Sequence, residues 1–248
     1  MKKQARALGT HFRPMRVSRP RVVFQDRDIL VIDKPSGLLA VPIAGSRAPN
    51  AQQMLAAEMG KEGGSILAVH RIDRYTSGLM VFARSKAARS HLVKQFLSHT
   101  PLRLYLAVVR GIPEIMEGEL RNFLKKVSWG FRQVVVKNEQ QGGTLAVTHF
   151  RVLELLNGAA LVEARLVTGL KNQIRVQLAQ AGMPIWGDRH YVREEKTALG
   201  IDHQALHSFR LGFQHPRSNT YLEFESDPPE DFQRLLRMLR CSRTKEKE

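Results

Sequence analysis

The sequence predicts an α+β fold, with a mixed, largely antiparallel central sheet flanked by helices and loops. Two observations lead there. Short apolar runs are separated mostly by turn residues, and only a few stretches carry the three-to-four-residue apolar spacing of a helix. The regular strand–helix–strand alternation of a parallel sheet is missing from the pattern. At 248 residues, 43% of them hydrophobic, the chain is long enough to bury one sizeable core.

The elements follow in order. In "VVFQDRDILVIDKPSG", strands at Val22–Gln25 and Ile29–Asp33 flank a turn at Asp26–Asp28, and Lys34-Pro35-Ser36-Gly37 closes the second. Asn50 suits the cap of a helix with Met54, Leu55 and Met59 on one face. The apolar stretch Ile66–Val69 leads into a charged loop and a strand at Leu79–Ala83. Ser85 can cap a helix bearing Ala88, Leu92 and Phe96, and Leu102–Arg110 is a strong strand candidate stopped by Gly111. Residues 118–168 read as mostly β, with Gly142-Gly143 turning between Val134–Val136 and Leu145–Phe150. "LKNQIRVQLAQAG" has helical spacing through Ile174, Leu178 and Ala181, and Gly182 ends it. "LHSFRLGF" and "TYLEFES" are strands around a turn at Pro216–Asn219. A last helix follows Pro228-Pro229, with Phe232, Leu235, Leu236 and Leu239 at i, i+3, i+4 and i+7.

Charge narrows the partners. Against 23 Asp and Glu stand 39 Lys and Arg, giving +16 and a pI near 10.5. Such a field attracts polyanions, nucleic acid first among them. Residues 1–21 are basic and hold no acid, so they read as a flexible RNA-contacting arm, with an organelle transit peptide as the other reading. The main domain is expected over residues 22–240 and a charged tail over 241–248. A lone cysteine, Cys241, excludes a disulfide framework and suits a reducing compartment such as the cytoplasm. No apolar run is long enough to span a membrane.

The chemistry concentrates in "HRIDRYTSGLMVFAR", His70 to Arg84. Asp73 stands between Arg71 and Arg74, and a carboxylate beside guanidinium groups is ionised at neutral pH. It can act as nucleophile or base while the arginines hold phosphates, or the segment is a salt-bridged turn. Thr76, Ser77 and Gly78 add hydroxyls and a point of close backbone approach.

Taken whole, this segment resembles the signature of the RluA-type pseudouridine synthases, in which His-Arg-hydrophobic-Asp leads into Thr-Ser-Gly-Leu. Four further blocks agree in order: "DRDILVIDKPSGLLAVP", "LRLYLAVVRG", "TGLKNQIRVQLAQAGMPIWGDRHY" and "LHSFRLGFQHP". The resemblance implies the pseudouridine synthase fold, with a catalytic cleft across the sheet. It implies conversion of uridine to pseudouridine in structured rRNA or tRNA, without a cofactor or metal, by a monomer that flips the target base. Asp73 becomes the essential carboxylate, attacking the sugar or taking a proton at C2′. Tyr105 becomes the tyrosine that stacks on the base, and Arg175 the arginine that pairs with Asp73. Arg71, Arg74, Thr76 and Gln173 become substrate contacts, with Lys34 a further candidate. Leu170 and Asn172 depart from the family's Thr-Gly-Arg-x-His-Gln-Ile-Arg, which puts RNA contacts beside that helix in question.

Three alternatives bear on this reading. A non-catalytic RNA-binding or ribosome-assembly protein would share the charge, but has no chemical need for Asp73, Tyr105 and Arg175 together. A zinc hydrolase is suggested by "HQALH", yet Gln204 stands where the general base belongs. Arg234, Arg237 and Arg240 form a stripe on the last helix that is either solvated or RNA-facing.

Overall fold

The structure is a computed structural model and describes residues 18–60, 65–127, 132–192 and 200–241. Most of the expected basic arm and charged tail lie outside the described residues.

β1 (Arg21–Gln25) and β2 (Ile29–Lys34) form a hairpin. Asp26 makes its turn, with Oδ1 accepting from the N–H of Asp28 at 2.7 Å and of Ile29 at 2.9 Å. β2 pairs antiparallel with β4 (Ser77–Ala83), whose other edge meets the short β3 (Leu67–Ala68) at Phe82–Ala83. Both β2 and β4 are apolar nearly throughout because helices cover both faces. Ile29, Val31, Leu79 and Val81 pack with Ala88 and Leu92 of α2 (Lys86–Leu97). Leu30, Ile32, Met80 and Phe82 pack with Ala51 and Leu55 of α1 (Ala51–Met59). Each helix starts where its cap predicts, Asn50 accepting from Gln53 N–H at 2.9 Å and Ser85 from Ala88 N–H at 3.1 Å.

The second half-sheet is antiparallel, in the spatial order β5 (Leu102–Arg110), β9 (Ala159–Leu166), β8 (Thr144–Leu156), β6 (Glu117–Lys126), β7 (Gln133–Val136). Its core includes Val108, Val162, Ile174 and Leu178 of α3 (Gln173–Gln180), and the stripe Phe232, Leu235, Leu236, Leu239 of α4 (Glu230–Cys241). The α4 arginines hold protein acceptors: Arg234 donates to Gly200 O at 2.9 Å, Arg237 pairs with Glu230, and Arg240 pairs with Glu154.

β10 (Leu206–Gln214) joins the halves. One edge pairs antiparallel with β5; the other pairs with β11 (Tyr221–Glu225) and, over His207–Ser208 only, runs parallel to Ser77–Gly78 of β4. Gly78 makes that junction feasible. It has φ +105°, and a Cβ there would lie 2.3 Å from Ser208 O. The "HQALH" segment is not a helix: His203 precedes β10 and His207 lies on it. No described helix is long and apolar enough to cross a membrane.

Candidate active site

Asp73 lies on the loop between β3 and β4, just before the parallel junction, and the Lys-Pro-Ser-Gly turn holds that loop in place. Lys34 is fully buried, so it is no RNA contact. Its Nζ donates to the carbonyls of Pro35, Leu38 and Arg74 at 2.9, 2.8 and 3.1 Å, and three acceptors require the three N–H donors of an ammonium. Burial pulls this group down to about 7, against the opposing attraction of Asp73 and Asp33. Arg74 also serves the loop. Its Nε donates to Gly37 O at 2.9 Å while its own carbonyl accepts from Gly37 N–H at 2.9 Å, and its side chain does not line the cleft.

Across the cleft, α3 brings Arg175 to Asp73. Arg175 Nη1 donates to Asp73 Oδ2 at 3.2 Å, although the two residues are 102 positions apart. The guanidinium is itself held by a residue that the sequence motifs did not single out. Asp188 accepts from Arg175 Nε at 2.7 Å and Nη2 at 2.8 Å, a bidentate pair with the carboxylate almost fully buried. Its Oδ1 also accepts from the N–H groups of His190 and Tyr191 at 2.9 and 3.3 Å. Burial alone lowers the affinity of Arg175 for its proton, but Asp188 and then Asp73 reverse this and raise it. The one signal in the sequence is that the block "PIWGD" ends on this aspartate.

Asp73 and Arg175 line a cavity of about 440 Å³ with Arg71, Thr76, Tyr105, Gln173, Arg103 and others, a size suited to a small ligand. A larger, shallower groove of about 780 Å³ adjoins it along β6 and β8, but contains none of Asp73, Tyr105 and Arg175. Tyr105, on β5, is buried; burial raises its phenol, with Arg103 and a hydrogen bond to Ser208 opposing, so the hydroxyl stays neutral. Thr76 is buried, and its Oγ1 accepts from Gln204 at 3.1 Å. Gln173 is engaged throughout: its Nε2 donates to Val147 O and Thr148 Oγ1, both at 3.0 Å, and its Oε1 accepts from Thr168 and Leu170. That pattern anchors the start of α3. Arg71 is exposed on the rim. Lys171 lies nearby, lowered first by burial and then by Arg71, Lys126 and Arg175, with Asp73 opposing, which reveals a cluster of cations at the mouth.

The departures Leu170 and Asn172 have physical reasons. Leu170 packs with Leu124, Ala146 and Val176. Asn172 sits in the left-handed region at φ 55°, which asparagine tolerates, and its Oδ1 accepts from Arg175 Nη1 at 3.1 Å. It therefore joins Asp188 in orienting the arginine. For metals, Asp26, Asp28 and His215 approach one another. They are committed within the protein, His215 to Asp26 at 2.9 Å and Asp28 to Arg217.

A carboxylate–arginine pair and a tyrosine share one cleft beneath a bridged mixed sheet, with cations at its mouth, an arrangement suited to an enzyme with an anionic substrate. Comparison with known proteins gives the family. Residues 28–180 match the RNA pseudouridylate synthase family. The chain is 35% identical over 233 residues to ribosomal large subunit pseudouridine synthase D of Zymomonas mobilis, covering 89% of this chain and 73% of that one. It is 35% identical over 224 residues to an uncharacterized RNA pseudouridine synthase, YlyB, of Bacillus subtilis, covering 88% and 72%. In fold it is similar to human RNA pseudouridylate synthase domain containing 4, with a TM-score of 0.73 at 24% identity, covering 88% and 92% of the two chains. The chain belongs to the RNA pseudouridylate synthase family.

Proposed function

We propose that this enzyme isomerises uridine in ribosomal RNA, with Asp73 as catalytic carboxylate, Arg175 as its orienting partner and Tyr105 as the platform for the flipped base. One observation carries the assignment: two residues from distant blocks, Asp73 and Arg175, meet at 3.2 Å on the wall of a cavity that Tyr105 also lines. The target nucleotide is extruded from its helix so that its ribose lies over Asp73. The C1′–N1 bond breaks and its electron pair leaves with the uracil. Asp73 bonds C1′, or takes the C2′ proton to give a glycal; either route uses the ionised carboxylate that Arg175 holds in place. The uracil turns and C5 bonds C1′ as the Asp73–C1′ bond breaks, or, from the glycal, as Asp73 returns its proton to C2′; the C5 proton departs and N1 gains a proton, so Asp73 is regenerated and the reaction is an isomerisation with no net loss of atoms.

Arg71 and Lys171 grip the phosphates beside the flipped nucleotide. Thr76 and Gln173 build the wall, and Arg74 steadies the Asp73 loop. The protein works as a monomer in the cytoplasm. Ribosomal RNA is favoured over transfer RNA by the name of the Zymomonas mobilis relative. Mapping pseudouridines across rRNA and tRNA from cells with and without the gene tests this. Loss of a large-subunit rRNA site is expected. Unchanged maps in both RNAs would leave a non-catalytic RNA-binding role, and loss confined to tRNA would overturn the substrate.

A further inference from the structure

Arg103 is the feature the mechanism has not used. It lies two residues before Tyr105 on β5, so both side chains face the cavity. It is 6% exposed. One hydrogen bond, from Nη2 to Val167 O at 2.7 Å, holds it, and its buried Nε has no acceptor. It forms no ion pair among the described residues. Burial lowers its proton affinity, with Tyr105 opposing. Its closest company is apolar or neutral: the Phe96 ring lies 5.7 Å away, and His70, stacked on Phe96, is held neutral by burial and by Arg103 itself. Space is reserved for it, since a Cβ on Gly169 would come within 2.6 Å of Nη1.

A buried cation without a counter-charge is costly and persists where a ligand supplies the missing acceptor. Two parts of the substrate offer one. In the pseudouridine reading above, the phosphates belong to a backbone outside the cavity, on the side of exposed Arg71. On the same reading, the group that enters the cavity beside Tyr105 is the base. We propose, building on the pseudouridine reading above, that Arg103 donates from Nη1, which makes no hydrogen bond among the described residues, to a carbonyl oxygen of the flipped uracil and holds the charge that forms on the ring. When the C1′–N1 pair leaves with the base, one negative charge spreads over N1, O2 and O4. A fixed guanidinium in a dry site stabilises that anion more than the neutral base, which accelerates bond breaking.

The test is single-turnover pseudouridine formation by wild type, Arg103→Met and Arg103→Lys, on RNA carrying uridine, 2-thiouridine or 4-thiouridine at the target. Wild-type turnover of the uridine RNA tests the underlying reading; the variants test this inference. Arg103→Met is expected to slow the step by about 10²–10³-fold, as removal of one such donor does, with RNA affinity and melting temperature little changed. Arg103→Lys recovers part of the rate. The slowing on one thio-substituted RNA should be clearly smaller than on uridine RNA, because the contact is already weakened there. A structural role would slow all three RNAs equally, and that result, or a rate near wild type, overturns the proposal. If Arg103→Met does not fold, the same comparison is made with Arg103→Lys, and equal slowing on all three RNAs or a rate near wild type again overturns the proposal.

Discussion

Replacing Asp188 by Asn separates what stabilises this site from what performs its chemistry. In the wild type, the Asp188 carboxylate accepts two hydrogen bonds from Arg175 and two from backbone N–H groups, and its side chain is 1% exposed. Asn keeps the size but offers one acceptor oxygen, so its amide group faces an N–H of Arg175, donor against donor. Breaking one side of a buried ion pair costs about 3–5 kcal/mol. Asn172 and Asp73 still hold Nη1, at 3.1 and 3.2 Å, which places the loss at the low end. About 3 kcal/mol corresponds to a fall of roughly 6–12 °C in melting temperature for a chain of this size. Turnover should fall on the order of 10²-fold, because Arg175 no longer aims Asp73. Asp73→Asn should lose activity with little loss of stability. Asp73 is 19% exposed and makes one contact with Arg175, which Asp188 and Asn172 still hold, so stability changes by about 1 kcal/mol while activity is lost. Calorimetry and a pseudouridine assay on both variants decide the matter. If Asp188→Asn melts within about 2 °C of wild type and turns over normally, the orienting role of Asp188 is refuted.

Three further outcomes are expected. Gly78→Ala should cost several kcal/mol or prevent soluble expression, since its Cβ would strike Ser208 O at 2.3 Å in a backbone conformation unfavourable to alanine; a soluble, normally melting variant would show that the β4–β10 junction can shift. His70 accepts Val81 N–H at 3.1 Å and is held down to about 3, against 6.5 in the unfolded chain. The unfolded state therefore binds more protons between those values, so stability rises with pH through that window, and is lost on acidification, by up to about 1.4 kcal/mol per unit; His70→Gln should flatten that slope, and an identical slope would contradict it. RNA affinity should fall with salt along a log–log slope of about −2 to −3 if Arg71, Lys126 and Lys171 each meet a phosphate, and Arg71→Ala should reduce the slope by about one; a flat affinity excludes phosphate contacts.

Legibility in the sequence followed the range of the interactions. The caps at Asn50 and Ser85, the Asp26 turn and the α4 stripe depend on residues within one or two turns of each other, and each forms as expected. The Asp73–Arg175 pair spans 102 positions and was reached only through the resemblance of whole blocks. The β4–β10 junction joins strands 130 positions apart, and no local pattern announces it. Lys34 reads as a surface residue because lysine in a Pro-Gly turn is ordinarily solvated; here three converging carbonyls make burial tolerable. Asp188 and Arg103 are not legible in the sequence because their partners, or the lack of them, exist only in three dimensions.

The central claim concerns the Asp73 carboxylate, and tritium release reads its chemistry directly. RNA labelled with tritium at uracil C5 is incubated with protein in buffer containing EDTA, and label freed to water is counted. The account predicts one tritium released per uridine converted by wild type, and background release by Asp73→Asn even though the variant still binds the RNA. Release by Asp73→Asn at the wild-type rate would contradict it.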